Sequence, residues 1–183
     1  KYFPGKQYIG MDMRTGPGVD SIENVEELRR DSETVGTVIA LNVFEHVERF
    51  WRGFEEVQRI LRRDGLLLVS CPFYFHIHEF PNDYWRFTPE GLRSLLRKTP
   101  AQIIGYHGPN NRPLNVWALA SGNDYPRITE LQHSLFRKRI RQYARQPLAW
   151  ETKVRFRISS LLSGRGPFAP YFDAEEFKTQ LLD

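Results

Sequence analysis

The stretch FHIHEFPNDYWRF places His76, His78, Glu79, Asp83, Tyr84, Trp85 and Arg86 within eleven residues. A histidine among carboxylates suits proton abstraction, because imidazole changes its charge near neutral pH and can take a hydroxyl proton. His78 is the expected base, with Asp83 and Arg86 positioning the substrate or the loop. Tyr84 and Trp85 could stack on a sugar ring; such aromatics more often simply pack, here in a lid loop where Asp83 pairs with Arg86. A metal-dependent hydrolase is a third reading, since His76-x-His78 with Glu79 and Asp83 mixes imidazole and carboxylate as transition-metal sites do. The spacing matches no standard zinc motif, so no residue is assigned to a metal.

Such groups act only if strands and helices hold them. Residues 7–13 (QYIGMDM) read as a short buried strand that ends on Asp12, and Gly16-Pro17-Gly18 as a turn. Residues 25–30 predict one or two helical turns. The apolar, β-branched run 35–42 predicts a strand covered on both faces. A helix over 48–63 follows, with Phe50, Phe54, Val57 and Leu61 on one face and Gly65 as its terminator. The strand 66–71 completes a βαβ unit, which requires a parallel pair. Thr88 and Pro89 suit the start of a helix running to about Lys98. Strands 101–106 and 114–120, joined by a short turn, should be antiparallel. Ligands bind beyond the carboxyl ends of parallel strands, which brings forward Asp12, Asn42, the Glu45-His46 pair and the loop after Pro72.

The remaining sequence, 124–183, predicts a helical extension to a main domain at 1–123. Thr129-x-x-Gln132 fits a capping box, with Ile128, Leu131, Leu135, Phe136, Ile140 and Tyr143 on one face. A second helix at 149–163 groups Trp150, Val154, Ile158 and Leu161. Residues 125–165 hold ten Lys and Arg against two acids, so the basicity of the chain resides there. Docking on its own sheet is the first use of such a segment, an anionic membrane the second and nucleic acid the third. The single cysteine, Cys71, sits in an apolar run and excludes an internal disulfide framework. With no apolar stretch of the roughly 18 residues a span needs, the expectation is a cytoplasmic chain, with peripheral membrane contact as an option. Nothing indicates an oligomeric state.

The order GMD, ENVEEL, VIALNVFEHV and EVQRILRRDGLLLVSCPF resembles the core of class I S-adenosylmethionine (SAM)-dependent methyltransferases, more narrowly methyltransferase type 11. FHIHEFPNDYWRFTPEGL is similar to bacterial members associated with glycan or cell-envelope biosynthesis. The resemblance covers about Tyr8 to Ser121 and implies an α/β, Rossmann-like sheet, SAM as cofactor, and O-methylation of a small-molecule or glycan acceptor. It implies that Asp12 holds the ribose, that Met13, Asn24 and Val25 border the adenine, and that Leu41 and Asn42 line the methionine part. Glu45-His46 matches a frequent pair of the family, read here as helix start and packing ahead of catalysis. The family's G-x-G-x-G loop precedes its GMD strand, and none is found between Lys1 and Met11. The expectation is therefore a sheet truncated at its first strand and helix, active only with that segment. A non-catalytic remnant that binds a partner or anionic membrane through its tail is the alternative.

Overall fold

The computed structural model describes residues 7–78, 82–108, 113–144 and 177–182, and six positions between 150 and 162. Two short strands, β1 (Met11–Asp12) and β2 (Ser21–Ile22), form a separate parallel pair. The main sheet holds β3 (Val35–Leu41), β4 (Leu61–Pro72), β5 (Ala101–His107), β6 (Asn115–Ser121) and β7 (Phe177–Leu181), in the order β3-β4-β6-β5-β7. β3 and β4 run parallel, as the βαβ spacing requires. β6 runs antiparallel to both β4 and β5, in line with the short link before it. β7 adds a second antiparallel strand on the outer edge of β5. The extension is thus not wholly helical: its last described segment returns to the sheet.

One face of the sheet carries α1 (Phe50–Ile60) and α2 (Pro89–Leu95). Phe54, Val57 and Ile60 of α1 and Leu92 of α2 close the core over Val38, Ala40, Leu67, Val69, Val116 and Ala118. Phe44 and Phe54 stack with centroids 3.9 Å apart. Gln58 ties the helices together, donating to the carbonyl of Leu95 (3.1 Å) and accepting from the backbone N–H of Thr99. Thr88 caps α2 by accepting from the N–H of Gly91 (2.9 Å), with Pro89 in the first turn. On the opposite face α3 (Glu130–Ala144) rests on β6 and β7 through Phe136 against Trp117 and His133 against Thr179. Thr129 and Gln132 form the expected capping box.

Several sequence expectations are corrected. The strand at 7–13 shrinks to two residues. Residues 25–30 are a turn, because the amides of Leu28 and Arg29 donate to the carboxylates of Glu56 and Glu23 rather than to helical carbonyls. The helix predicted to reach 63 ends at Ile60, where the N–H groups of Glu33 and Thr34 take the carbonyls of Arg59 and Ile60 (3.0 Å each). Gly65 then lies inside β4, after a bulge opposite Val35 and Thr37. α2 stops at Leu95, short of Lys98. β3 is covered on one face only, with Ile39 and Leu41 exposed on the other. Only part of the apolar stripe of α3 docks: Phe136 packs on Trp117 and Ile140 is half-buried, whereas Leu131 is 69% exposed and Leu135 is also exposed, and the buried His133 takes a place at the contact. Each described position between 150 and 162 is helical; Leu161 lies outside the described residues.

Candidate active site

A pocket of about 120 Å³ opens at the carboxyl ends of β3 and β4, lined by Asn42, Glu45, Pro72, Phe75, His78, Leu114 and Asn115. Asn42, the residue after β3, has φ of +53°, a left-handed conformation that asparagine tolerates better than most residues. Its Oδ1 accepts from Asn115 Nδ2 (2.9 Å) and Ser70 Oγ (3.3 Å), which ties the tips of β3, β4 and β6 together. The turn Phe44–His46 then carries Glu45 inward beneath the pocket floor.

The three residues expected to do chemistry meet beside it, and of them only His78 lines the pocket. Asp83 accepts from the backbone N–H of His78 (2.8 Å), and its carboxylate lies 3.2 Å from His78 Nδ1. Arg86 binds both oxygens of Asp83, one of them through Nη2 at 2.7 Å, and donates to the carbonyls of His76 and Trp85. The Arg86 guanidinium holds the Asp83 carboxyl well below the usual carboxylate range against the opposing effect of burial. Asp83 therefore stays ionised and fixes the tautomer of His78 from its Nδ1 side.

Glu45 is the residue that sequence reasoning assigned to helix start and packing. It is 0% exposed, and neither carboxylate oxygen has a hydrogen-bond partner. Burial pushes its pKa up, against the pull of its own backbone N–H and of the charges at His46, His78 and Arg86. His46 Nε2 lies 3.9 Å from Glu45 Oε1, and the rings of His46 and His78 meet edge-on at 4.8 Å. The loop closes over this turn: the N–H groups of Tyr84 and Trp85 both donate to the Glu45 carbonyl, and Trp85 Nε1 donates to the carbonyls of Val47 and Glu48. An acid set within the apolar sequence NVFEHV was the available signal. Glu79 lies outside the described residues.

The residues expected to hold a cofactor are divided between the separate β1–β2 pair and the end of β3 in the main sheet. Asp12 and Met13 are exposed at the end of β1, with Asp12 Oδ1 accepting from the N–H of Arg14 (2.9 Å). Asn24 Oδ1 accepts from the N–H of Glu26, and Val25 is half-buried against the core. Leu41 is exposed beside Asn42. Cys71 is buried and free, and burial pushes its thiol far above the ordinary range, so it is inert.

Residues 6–69 match the family described as Methyltransferase domain. No curated protein matches the chain. Among solved structures, the PH0226 protein from Pyrococcus horikoshii OT3 is similar with a TM-score of 0.50 at 12% identity, over 64% of this chain and 72% of that one. A chain of the complex between the Haloferax volcanii Trm112 methyltransferase activator and the putative methyltransferase gives a TM-score of 0.47 at 13% identity. There the match spans 60% of this chain and 64% of the other. The Burkholderia thailandensis 1,6-didemethyltoxoflavin-N1-methyltransferase gives 0.49 at 17%, over 62% and 60%. The match over residues 6–69 takes in β1, β2, β3, α1 and most of β4, so this part of the chain is similar to a methyltransferase domain, and the sheet shares the Rossmann-like fold of the Pyrococcus horikoshii protein.

Proposed function

We propose that this chain serves methyl transfer from SAM to a hydroxyl of a small-molecule or glycan acceptor of the cell-envelope type. The observation that carries the reading is the convergence of Asn42, Glu45 and His78 on one pocket, with His78 oriented by the Asp83–Arg86 pair. SAM, when bound, supplies a methyl on a sulfonium, which a hydroxyl oxygen displaces as a neutral thioether. Asp12 Oδ1 already accepts a backbone donor, which leaves Oδ2 for ribose hydroxyls. The exposed apolar side chains of Met13 and Leu41 fit a purine and an aliphatic chain. Asn24 keeps its amide N–H₂ for the adenine rim, and Val25 contributes packing there. His78 presents Nε2 to the acceptor and takes the proton that the hydroxyl loses. The pocket is smaller than the roughly 300–1,000 Å³ of a complete ligand site, so it admits the reacting group of the acceptor and not the whole molecule.

Calorimetry with SAM on the chain and its Asp12→Ala variant tests the cofactor half. Loss of charge-assisted bonds to the ribose should weaken binding by about 1.5–3 kcal/mol, roughly ten- to over a hundred-fold. An unchanged dissociation constant moves the ribose elsewhere.

One observation favours a second reading for the extension. Trp150, Val154, Ile158 and Leu162 recur every four residues, and all four are exposed. No described helix is long and apolar enough to cross a membrane. An exposed apolar stripe within a basic segment suits the surface of an anionic bilayer. The chain should sediment with anionic vesicles and release as salt shortens the screening length towards about 8 Å. Retention by Trp150→Glu/Ile158→Glu at wild-type strength would remove this reading.

A further inference from the structure

We propose that Glu45, His46 and His78 bind one divalent first-row transition-metal ion at the pocket floor. The first ground is the buried, unpartnered carboxyl group of Glu45. A fully buried carboxylate with no hydrogen-bond partner is costly, and folded proteins keep such a group where a proton or a cation answers it. Arg86 does not serve, because its guanidinium is engaged by Asp83 and by backbone carbonyls.

The second ground is the state of the two imidazoles. His46 Nδ1 lies 2.5 Å from the Asn82 carbonyl, so it must be the donor there. His78 Nδ1 faces the Asp83 carboxylate at 3.2 Å and the His76 carbonyl at 3.3 Å, and is a donor for the same reason. In its neutral form each ring therefore has its lone pair on Nε2. An outer carbonyl or carboxylate fixing the far ring nitrogen is the arrangement that orients histidine towards a metal.

The third ground is distance. One nitrogen from each ring and one Glu45 oxygen all lie within 4.8 Å of one another. An ion bound at about 2.0–2.2 Å from each would draw them to roughly 3–3.5 Å, a closure that small side-chain rotations supply. Two imidazoles and one carboxylate suit zinc or ferrous iron, and they leave coordination positions open. Those positions face the pocket, since Glu45 and His78 both line it. What the ion does there rests on the methyl-transfer reading: an acceptor hydroxyl bound to it would lose its proton to solvent more readily, with His78 holding the ion in place of taking the proton itself.

The test uses the untagged chain, stripped with chelator and titrated with Zn²⁺ alone by calorimetry. One equivalent should bind. Glu45→Gln and His78→Ala should each weaken that binding by at least about 100-fold, the scale on which even outer supporting groups act. His76→Gln should retain it, because the His76 ring is not one of the three proposed ligands. Co²⁺ bound to the wild-type chain should give visible d–d bands, a readout that needs no variant to fold. Absence of a stoichiometric site, unchanged affinity in Glu45→Gln, or loss in His76→Gln overturns the proposal. Neither measurement requires SAM, so a failure of methyl transfer leaves the result on the metal intact, and the reverse holds.

Discussion

Replacing Asp83 by asparagine keeps the shape of the side chain and removes its charge. The side chain is 1% exposed, so solvent cannot answer the loss. One amide oxygen can still accept from the His78 N–H, but the amide nitrogen must then turn towards the guanidinium or the imidazole. Removing one partner of a buried ion pair costs about 3–5 kcal/mol, because the other charge is stranded. Two features reduce that figure here: the Arg86 side chain is 26% exposed, and it keeps the carbonyls of Trp85 and His76 as acceptors. We expect a loss of about 2–3 kcal/mol, a fall in Tm of about 5–10 °C for a chain of this size. Urea unfolding at neutral pH measures the first quantity and thermal unfolding the second. Arg86→Met, alone and combined with Asp83→Asn, completes a double-mutant cycle, and coupling above about 1 kcal/mol is expected for groups in direct contact. A loss under about 0.5 kcal/mol, within the range of ordinary surface changes, would refute the reasoning. The backbone bonds of Tyr84 and Trp85 to Glu45, and not the ion pair, would then hold the loop.

Two further outcomes follow from the packing and the charges. Gly105→Ala should destabilise by about 1–3 kcal/mol, as overpacking does, because the new methyl would overlap the Trp117 indole and stand 2.7 Å from the Lys178 carbonyl; urea midpoints decide it, and a neutral result would mean that the indole can leave β5. The Arg59 side chain and the Leu28 amide hold Glu56 below its ordinary value. For Glu23, the bonds from Ser21, Arg29 and Arg30 outweigh the opposing effect of burial and also lower it. The stability these two contribute is complete above about pH 4.5 and is lost as pH falls through their depressed folded-state values. Glu56→Gln should therefore flatten the acid limb of a stability profile, and parallel profiles for the two proteins would count against the assignment.

Features fixed by neighbours in sequence were legible in advance. Thr88 with Pro89, and Thr129 with Gln132, cap helices through residues three apart. The spacing of β3, α1 and β4 dictated a parallel pair. The misreadings arose where distant groups intervened. The turn at 25–30 depends on Glu56, which lies on α1, and α1 ends early because amides of Glu33 and Thr34 reach its last carbonyls. At the site, His78, Asp83 and Arg86 lie close in sequence and were found together. Glu45 was brought forward with His46 at a strand end but read as helix start and packing, because its burial exists only once a loop some forty residues away folds over it.

β7 has a consequence for how the molecule forms. Its residue Leu181 pairs with Ile103, so closing that edge joins positions 78 residues apart in the chain. The β3–α1–β4 unit and the β5–β6 hairpin rest on much shorter loops and carry a smaller closure entropy. The sheet should therefore assemble from its interior outward, with β5 exposing free amides and carbonyls until β7 arrives. In hydrogen exchange the amides of β6 should be the slowest, while those of β7 open first. During synthesis the open edge of β5 is the strand most able to pair with a second copy.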